Sequence, residues 1–342
     1  MALRAGVIGL GTMGRHHARV YGELAGVDLV AVADSDPHAV AQATRGRTWR
    51  GYLDYRQMLE RERLDLVSIA VPTALHEEVA CAAIERGIHA LVEKPIAATV
   101  QEGQRIAAAA RAHDVVLTVG HIERFNAAIL ELKRHLAAGK LGKVFQIRAR
   151  RNGPFPARIR DVGVVVDLAT HDLDIMRFLL DSPVERIYAE TAQRIHTAHE
   201  DLVIGLLRFA NGVIGLIDVN WLTPTKVREL VVSGERGMFV ASYLTQELYF
   251  YENNIARSEW DALDTLTGVH EGNMTRYHLD RREPLRVELE AFVAAVRDGQ
   301  PPAVSAEDAL AALHLAELLV ASGRDGRIWA VEGLSARGEE GG

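Results

Sequence analysis

The stretch Leu3-Arg4-Ala5-Gly6-Val7-Ile8-Gly9-Leu10-Gly11-Thr12-Met13-Gly14, followed by Val27-Asp28-Leu29-Val30-Ala31-Val32-Ala33-Asp34, decides the fold of the first third of the chain. The apolar run from Leu3 to Leu10 reads as a buried strand entering a glycine-rich turn, and the second run reads as a strand ending in an acid. Gly9 permits a tight turn directly after a strand. Gly11 lets backbone approach a pyrophosphate, and Gly14 lets the next helix sit close to the sheet with its N-terminus toward the phosphates. Asp34 follows at the tip of the second strand, where a carboxylate accepts hydrogen bonds from an adenosine ribose. This order predicts a dinucleotide site that uses Gly9, Gly11, Thr12, Met13, Gly14, Asp34 and Ser35. A carboxylate at position 34 accepts from a ribose 2'-hydroxyl and repels a 2'-phosphate, so NAD is expected and NADP is the weaker cofactor; Ser35 and nearby Arg45 or Arg47 soften that preference.

The 342 residues are too many for one average domain and few for three, which makes two the expectation. With 48% hydrophobic and 25% charged residues, the chain has the composition of a soluble protein with substantial cores. A formal charge of -7 and no basic block argue against nucleic acid as a partner. Cys81 is the one cysteine, so no internal disulfide or cysteine zinc cluster can form, and the chain suits a reducing cytoplasm. No signal-peptide pattern precedes the first strand and no apolar stretch is long enough to span a bilayer, so a cytoplasmic protein without a membrane partner is expected.

Strand and helix patterns alternate to about residue 120: Leu64 to Val71, Ile88 to Val92 and Val115 to Val119 are short apolar runs, and Glu77 to Arg86 and Gln101 to Ala112 are helical. That predicts an α/β Rossmann domain over residues 1–120 with a parallel sheet. Beyond residue 140 longer strands follow one another: 143–151, 185–191, 202–209, 213–221, 226–233 and 238–241, with Asn211-Gly212 as a hairpin signal. They predict a second, α+β domain over residues 121–342 built on a mainly antiparallel sheet. Alternating apolar residues from Leu202 to Trp221 leave an open face after the domain has covered its own core, which predicts a homodimer or homotetramer. Terminal helices are expected at 285–296 and 306–321, the latter capped by Ser305, and Glu339 to Gly342 as a frayed tail.

Val71-Pro72-Thr73, with His76 one turn on, follows a strand and should border the cofactor, because ligands of open α/β sheets bind beyond the carboxyl ends of strands. Thr73 as the helix N-cap is a compatible alternative. The next strand ends in Glu93-Lys94-Pro95. There a lysine beside a cationic nicotinamide can hydrogen-bond a substrate hydroxyl or carbonyl, the alternative being a solvated surface lysine. In Asp167-Leu168-Ala169-Thr170-His171 the acid and the imidazole stand one turn apart on one helix face, a spacing that serves an oriented base and an ordinary ion pair alike. His16, His17, His196 and His199 lack a convincing set of metal ligands, and no metal is expected. Trp49, Trp260 and Trp329 read as packing residues and Cys81 as a buried structural thiol.

Gly9-x-Gly11-x-x-Gly14, Glu93-Lys94-Pro95 and Asp167-x-x-x-His171, in this order, resemble the Gfo/Idh/MocA family of NAD(P)-dependent oxidoreductases over nearly the whole chain. The resemblance implies catalysis by Lys94 and His171 with Asp167 in support, a second domain that carries substrate and oligomer contacts, and a last long helix (about 305–322) that returns to the Rossmann domain. Gly120-His121-Ile122-Glu123-Arg124-Phe125-Asn126, the stretch from Gly153 to Gly163 and the stretch from Asn220 to Arg228 are similar to those of the UDP-N-acetylglucosamine 3-dehydrogenases and their uronate relatives. Ala127 departs from that pattern, which has a proline there. This finer resemblance implies NAD-dependent oxidation of the 3-hydroxyl of UDP-N-acetylglucosamine, with His121, Arg124, Asn126, Arg158, Asp167, His171, Trp221 and Lys226 at the substrate. Arg124, Arg158, Arg160, Lys226 and Arg228 supply cations for a diphosphate. The uronate, inositol or another sugar remains an alternative substrate, and a catalytically silent NAD-binding regulator an alternative class.

Overall fold

A computed structural model of the chain describes residues 2–156, 162–196, 198–253 and 271–332. The chain forms two compact units, one of residues 1–125 with 282–314 and the other of residues 126–281 with 315–342.

In the first unit β1 (Leu3–Ile8), α1 (Thr12–Tyr21), β2 (Val27–Ala33), α2 (Pro37–Thr44), β3 (Arg50–Tyr52), α3 (Tyr55–Arg61), β4 (Leu66–Ile69), α4 (His76–Ile84), β5 (His89–Glu93), α5 (Val100–Ala112) and β6 (Leu117–Gly120) alternate along the chain. All strands are parallel, in the order β3-β2-β1-β4-β5-β6. Every residue of β4 and of β6 is buried, which is why these strands read as unbroken apolar runs. The chain winds outward from β1 in one direction and from β4 in the other, so the carboxyl ends of β1 and β4 flank the switch point where such sheets take their ligands. Val7, Leu10, Val20, Tyr21, Leu29 and Leu66 form one core with Leu285, Leu289, Phe292 and Val293. Those last four come from α8 (Pro284–Asp298), which packs on α1. Helix α9 (Ala306–Asp325) starts as expected, Ser305 Oγ accepting the Asp308 N–H at 3.0 Å. Its residues to 314 belong with the first unit and the rest with the second.

The second unit holds α6 (Ala127–Ala137), β7 (Val144–Pro154), α7 (Thr170–Leu180), β8 (Val184–Ala192), β9 (Leu202–Phe209), β10 (Ile214–Asn220), β11 (Leu222–Gly234), β12 (Gly237–Ser242), β13 (Glu247–Asn253), β14 (Glu271–Arg276) and β15 (Trp329–Ala330). Among the described residues nine strands make one sheet, β14-β13-β12-β11-β7-β10-β9-β8-β15, in which only β7 and β10 run parallel. One face packs on helices: Ile147, Val203, Ile217 and Leu230 meet Ile129, Leu132, Leu173 and Met176. On the other face β9 presents Ile204 and Leu206, 49% and 47% exposed. Gly212, at φ +87°, turns the β9–β10 hairpin. Among the described residues no helix is long and apolar enough to cross a membrane.

Candidate active site

The three glycines of the opening turn differ in what a side chain would meet. Gly9 has φ +89°, and a Cβ on it would stand 2.5 Å from the Ala70 carbonyl oxygen. A Cβ on Gly14 would stand 1.7 Å from the Gly9 carbonyl oxygen, so α1 approaches the turn more closely than any side chain allows. Gly11 is exposed, and a Cβ there would meet nothing of the chain within 4 Å. The space it leaves is the kind a pyrophosphate needs at a helix start whose N–H groups no side chain caps. Asp34 Oδ2 accepts the Leu10 N–H at 2.6 Å and Oδ1 the Asp36 N–H at 2.9 Å. That fixes the half-buried carboxylate between the turn and the end of β2 with acceptor capacity left for ribose hydroxyls. Thr12 and Ser35 are exposed, and Met13 packs partly on the core. The residues present fit a dinucleotide.

After β4, Pro72 is exposed and Thr73 opens a short 3-10 turn. Thr73 does not cap α4: the turn runs on to Leu75, which holds the N-cap position, and no side-chain cap forms at either start. His76 is buried, its Nδ1 2.8 Å from the Pro95 oxygen and its Nε2 3.0 Å from the Val71 oxygen. Burial lowers its pKa, and the neutral ring donates to one of these carbonyls at a time. His76 thus ties the loop after β4 to the residue after Lys94; both ring nitrogens face the chain's own backbone. Glu93, at the end of β5, is largely buried. Its Oε2 accepts the Lys94 N–H at 3.2 Å, and its Oε1 lies 2.9 Å from His17 Nε2. Burial opposes its ionisation, but the hydrogen bond and charge of His17, with the Lys94 charge, outweigh it and hold the carboxyl below the ordinary glutamate range. Lys94 itself is half-buried at the strand end.

In the second unit Asp167 lies in a single π-helical turn, Val165–Ala169, that leads into α7. The spacing alone predicts a regular helix; the wider turn arises where the Thr170 N–H reaches back to the Val165 oxygen. Asp167 and His171 are both half-buried and open to a ligand in part. Glu200 holds the start of this segment, its backbone oxygen accepting the Val164 N–H at 2.9 Å and its Oε1 the Val165 N–H at 3.2 Å. Behind His171, the buried Asp172 takes a two-point hydrogen bond from Arg151 of β7, and that guanidinium lies 5.0 Å over the Tyr243 ring. Nothing in the spacing of the sequence announced this pair.

The expected substrate residues separate into groups. Lys226 is exposed on β11, and Arg228 donates to the Asn152 and Val227 oxygens at 2.6 and 2.8 Å. Trp221 is buried, edge-on to Phe155 at 5.7 Å and stacked with His196 at 6.2 Å. Arg158, Arg160 and Trp260 lie outside the described residues, as does the tail. His121, Arg124 and Asn126 are buried. The Arg124 guanidinium pairs with Asp308 at 3.0 Å and the Ala303 oxygen at 3.2 Å within the first unit. Asn126 caps α6 through the Ala128 N–H and donates to the Tyr243 oxygen. Ala127 donates its N–H to Gln246 Oε1 at 3.3 Å, a bond that proline cannot make. Cys81 is half-buried, and burial pushes its thiol pKa up. Among the described residues no group of three metal-ligating side chains converges.

The profile described as "Oxidoreductase family, NAD-binding Rossmann fold", of Gfo/Idh/MocA, matches residues 3–121, and that of the Gfo/Idh/MocA C-terminal domain matches residues 129–240. The chain is 26% identical over 299 residues to a UDP-N-acetylglucosamine 3-dehydrogenase of Acidithiobacillus ferrooxidans, covering 87% of this chain and 90% of that one. It is 30% identical over 345 residues to inositol 2-dehydrogenase 1 of Saccharopolyspora erythraea, covering 95% of each. The solved structure of an oxidoreductase from Agrobacterium radiobacter in complex with NAD+, L-tartaric acid and magnesium superposes with a TM-score of 0.85 at 21% identity, over 96% of this chain and 98% of that one. With both domains matched in chain order, and with a glycine turn shaped for a pyrophosphate, the chain belongs to the Gfo/Idh/MocA family of NAD-binding oxidoreductases.

Proposed function

We propose that the chain is a cytoplasmic dehydrogenase that oxidises the 3-hydroxyl of UDP-N-acetylglucosamine to the 3-keto sugar nucleotide. The observation that carries this reading is the set of segments 120–126, 153–163 and 220–228, which resemble those of the nucleotide-sugar enzymes, together with a relative that bears that activity in its name. Gly9, Gly11, Gly14 and Asp34 hold the dinucleotide; NAD bound there supplies the hydride acceptor. His171, or Lys94 in its place, takes the hydroxyl proton, while the other steadies the substrate oxygen by a charge-assisted hydrogen bond. Asp167, one turn before His171, orients the imidazole, and Lys226 attracts the diphosphate. The half-burial of Lys94, Asp167 and His171 supports these roles, since each keeps one side open and the other held.

A polyol substrate is the second reading, favoured by the 30% identity to an inositol 2-dehydrogenase. Reduced-nicotinamide absorbance with a panel of sugars separates the two. UDP is expected to inhibit competitively against the sugar nucleotide, and Lys226→Ala to raise its KM with kcat little changed, because a charged hydrogen bond made equally in ground and transition states contributes roughly 1.5–3 kcal/mol to binding alone. Turnover of free inositol with no inhibition by UDP would replace the nucleotide-sugar reading by the polyol one.

A further inference from the structure

One side chain joins the helix that opens the dinucleotide site to the strand that ends at Lys94. His17 stands on α1 just beyond Gly14 and is fully buried. Its Nδ1 lies 3.0 Å from Ser68 Oγ and its Nε2 2.9 Å from Glu93 Oε1. Tyr21, one turn further on, brings its hydroxyl to 2.9 Å from the same Ser68 Oγ, so the imidazole cannot turn without abandoning a buried hydrogen bond. Glu93 gives its other oxygen to the Lys94 N–H, and its carboxylate stands against Gly120, where any side chain would crowd it, a Cβ lying 3.0 Å from Oε2. Beyond Lys94, His76 holds the Pro95 carbonyl. The backbone on each side of Lys94 is therefore anchored, and one anchor reaches back to α1.

A residue that merely filled this space would be apolar, because burying an imidazole against a carboxylate carries a desolvation cost that a leucine avoids. What the polar link adds is direction. Hydrogen bonds weaken steeply with distance and angle, so a small displacement of α1 moves Glu93 instead of being absorbed by loose packing. We propose that His17 is a positioning residue that transmits the seating of α1 on the bound dinucleotide to Lys94. This rests on the reading above, in which Lys94 takes part in the reaction.

Acylation of the Lys94 amine by acetic anhydride, followed by peptide mass spectrometry, reads the setting of that side chain without turnover. ADP-ribose fills the glycine-rich turn but has no nicotinamide ring to cover Lys94. In the wild-type chain, saturating ADP-ribose is expected to change the Lys94 acylation rate by roughly threefold, the lower range for coupling between packed sites. The response is expected to vanish in His17→Leu and largely to return in His17→Gln, whose amide nitrogen can still donate to Glu93. A wild-type rate indifferent to ADP-ribose, or an equal response in His17→Leu, overturns the proposal. If His17→Leu does not fold, Ser68→Ala removes the Nδ1 anchor, and with it the partner of the Tyr21 hydroxyl, while leaving the bond to Glu93, and is expected to weaken the response; an undiminished response there also overturns it. In turnover His17→Leu should lose about 10- to 100-fold in kcat with the KM for NAD nearly unchanged, and a change in KM alone contradicts the coupling. Turnover of Lys94→Met tests the part of Lys94 in the reaction separately, so either idea can fail without the other.

Discussion

Arg151 Nε and Nη2 lie 2.7 and 3.1 Å from Asp172 Oδ2 and Oδ1, a two-point ion pair that joins β7 to the helix carrying His171, with both side chains almost wholly out of water. Removing one partner strands the other charge in the interior, which costs about 3–5 kcal/mol, whereas replacing both with apolar groups of similar volume costs far less. Asp172→Ala is therefore expected to lose about 3–5 kcal/mol in denaturant unfolding, and the double variant Arg151→Met with Asp172→Leu to recover most of that. A loss below about 1 kcal/mol in the single variant would show that the pair does not hold α7 in place.

Gly11→Ala and Gly14→Ala should part company. The backbone at Gly11 has φ -63° and ψ -162°, which alanine adopts, and its Cβ would enter open space, so the fold should keep its melting temperature. The same methyl group is expected to stand in the approach of the pyrophosphate and to weaken NAD binding by about tenfold or more, read by calorimetry. Gly14→Ala drives a Cβ into the Gly9 carbonyl and should destabilise the first unit outright. Unchanged NAD affinity in Gly11→Ala would move the phosphates away from this turn.

Asp34 is expected to set cofactor choice in the same site. The wild-type kcat/KM is expected to be at least about tenfold higher with NAD than with NADP, since the carboxylate repels a 2'-phosphate. Asp34→Ala should narrow that ratio, chiefly by losing efficiency with NAD. Arg47 is occupied over the Trp49 ring, 5.1 Å from its centroid, and offers less to a 2'-phosphate than its position in the sequence suggests. Equal efficiency with the two cofactors in the wild-type chain would contradict this.

The glycine turn, the acid at position 34 and the strand end at Glu93 were legible because each depends on local backbone chemistry written in adjacent residues, whereas the apolar run to Val71 overshoots β4, which ends at Ile69. The hairpin at Asn211-Gly212 and the cap at Ser305 were legible for the same reason. Burial was harder to read. Arg124 in sequence is simply a cation in a polar stretch, and only Asp308 and Ala303, far along the chain, show where its guanidinium goes. The periodicity of residues 285–296 says that a helix forms but not that its apolar face meets α1. His17 appeared as half of a His16-His17 pair with no ligand set, and its partners Ser68 and Glu93 come from two other strands.

Glu288 gives a pH dependence with a definite sign. It is buried on α8, and among the described residues neither carboxyl oxygen has a hydrogen-bond partner. Burial, helped by the charge of Glu93, pushes its pKa well above the ordinary glutamate value. Between that ordinary value and the raised one, the unfolded chain has released the proton and the folded chain retains it, so stability falls as pH rises through the window, by about 1.4 kcal/mol per pH unit. Glu288→Gln keeps the shape and removes this proton linkage. Its melting temperature should exceed that of the wild type at pH 7, by roughly 2–4 °C per kcal/mol regained, and the gain should disappear near pH 4. A variant that gains nothing at pH 7, or gains equally at both pH values, would show that Glu288 ionises normally.

The second unit's sheet presents an exposed apolar strip on the face opposite its helices. Register places Leu206 opposite Leu216, Ile204 opposite Asp218 and Ile214 opposite Arg208. Ile204, Leu206 and Ile214 are 49%, 47% and 43% exposed, and Tyr251 and Met274, paired on the far strands, are 40% and 56% exposed. Side chains alternate across a strand, so these apolar groups share the face opposite the helices, flanked by the exposed Arg148 and Arg150 of β7. An apolar strip interrupted by charges suits a self-complementary contact, in which each copy supplies both the apolar and the charged halves. The chain is expected to run as a dimer or tetramer in light scattering at micromolar concentration. Leu206→Asp puts a charge at the centre of the strip without touching the core below and should reduce the mass while leaving the melting profile of the separated chains cooperative. A single-chain mass for the wild type, or an assembly that Leu206→Asp leaves intact, would mean that this face is not where copies meet.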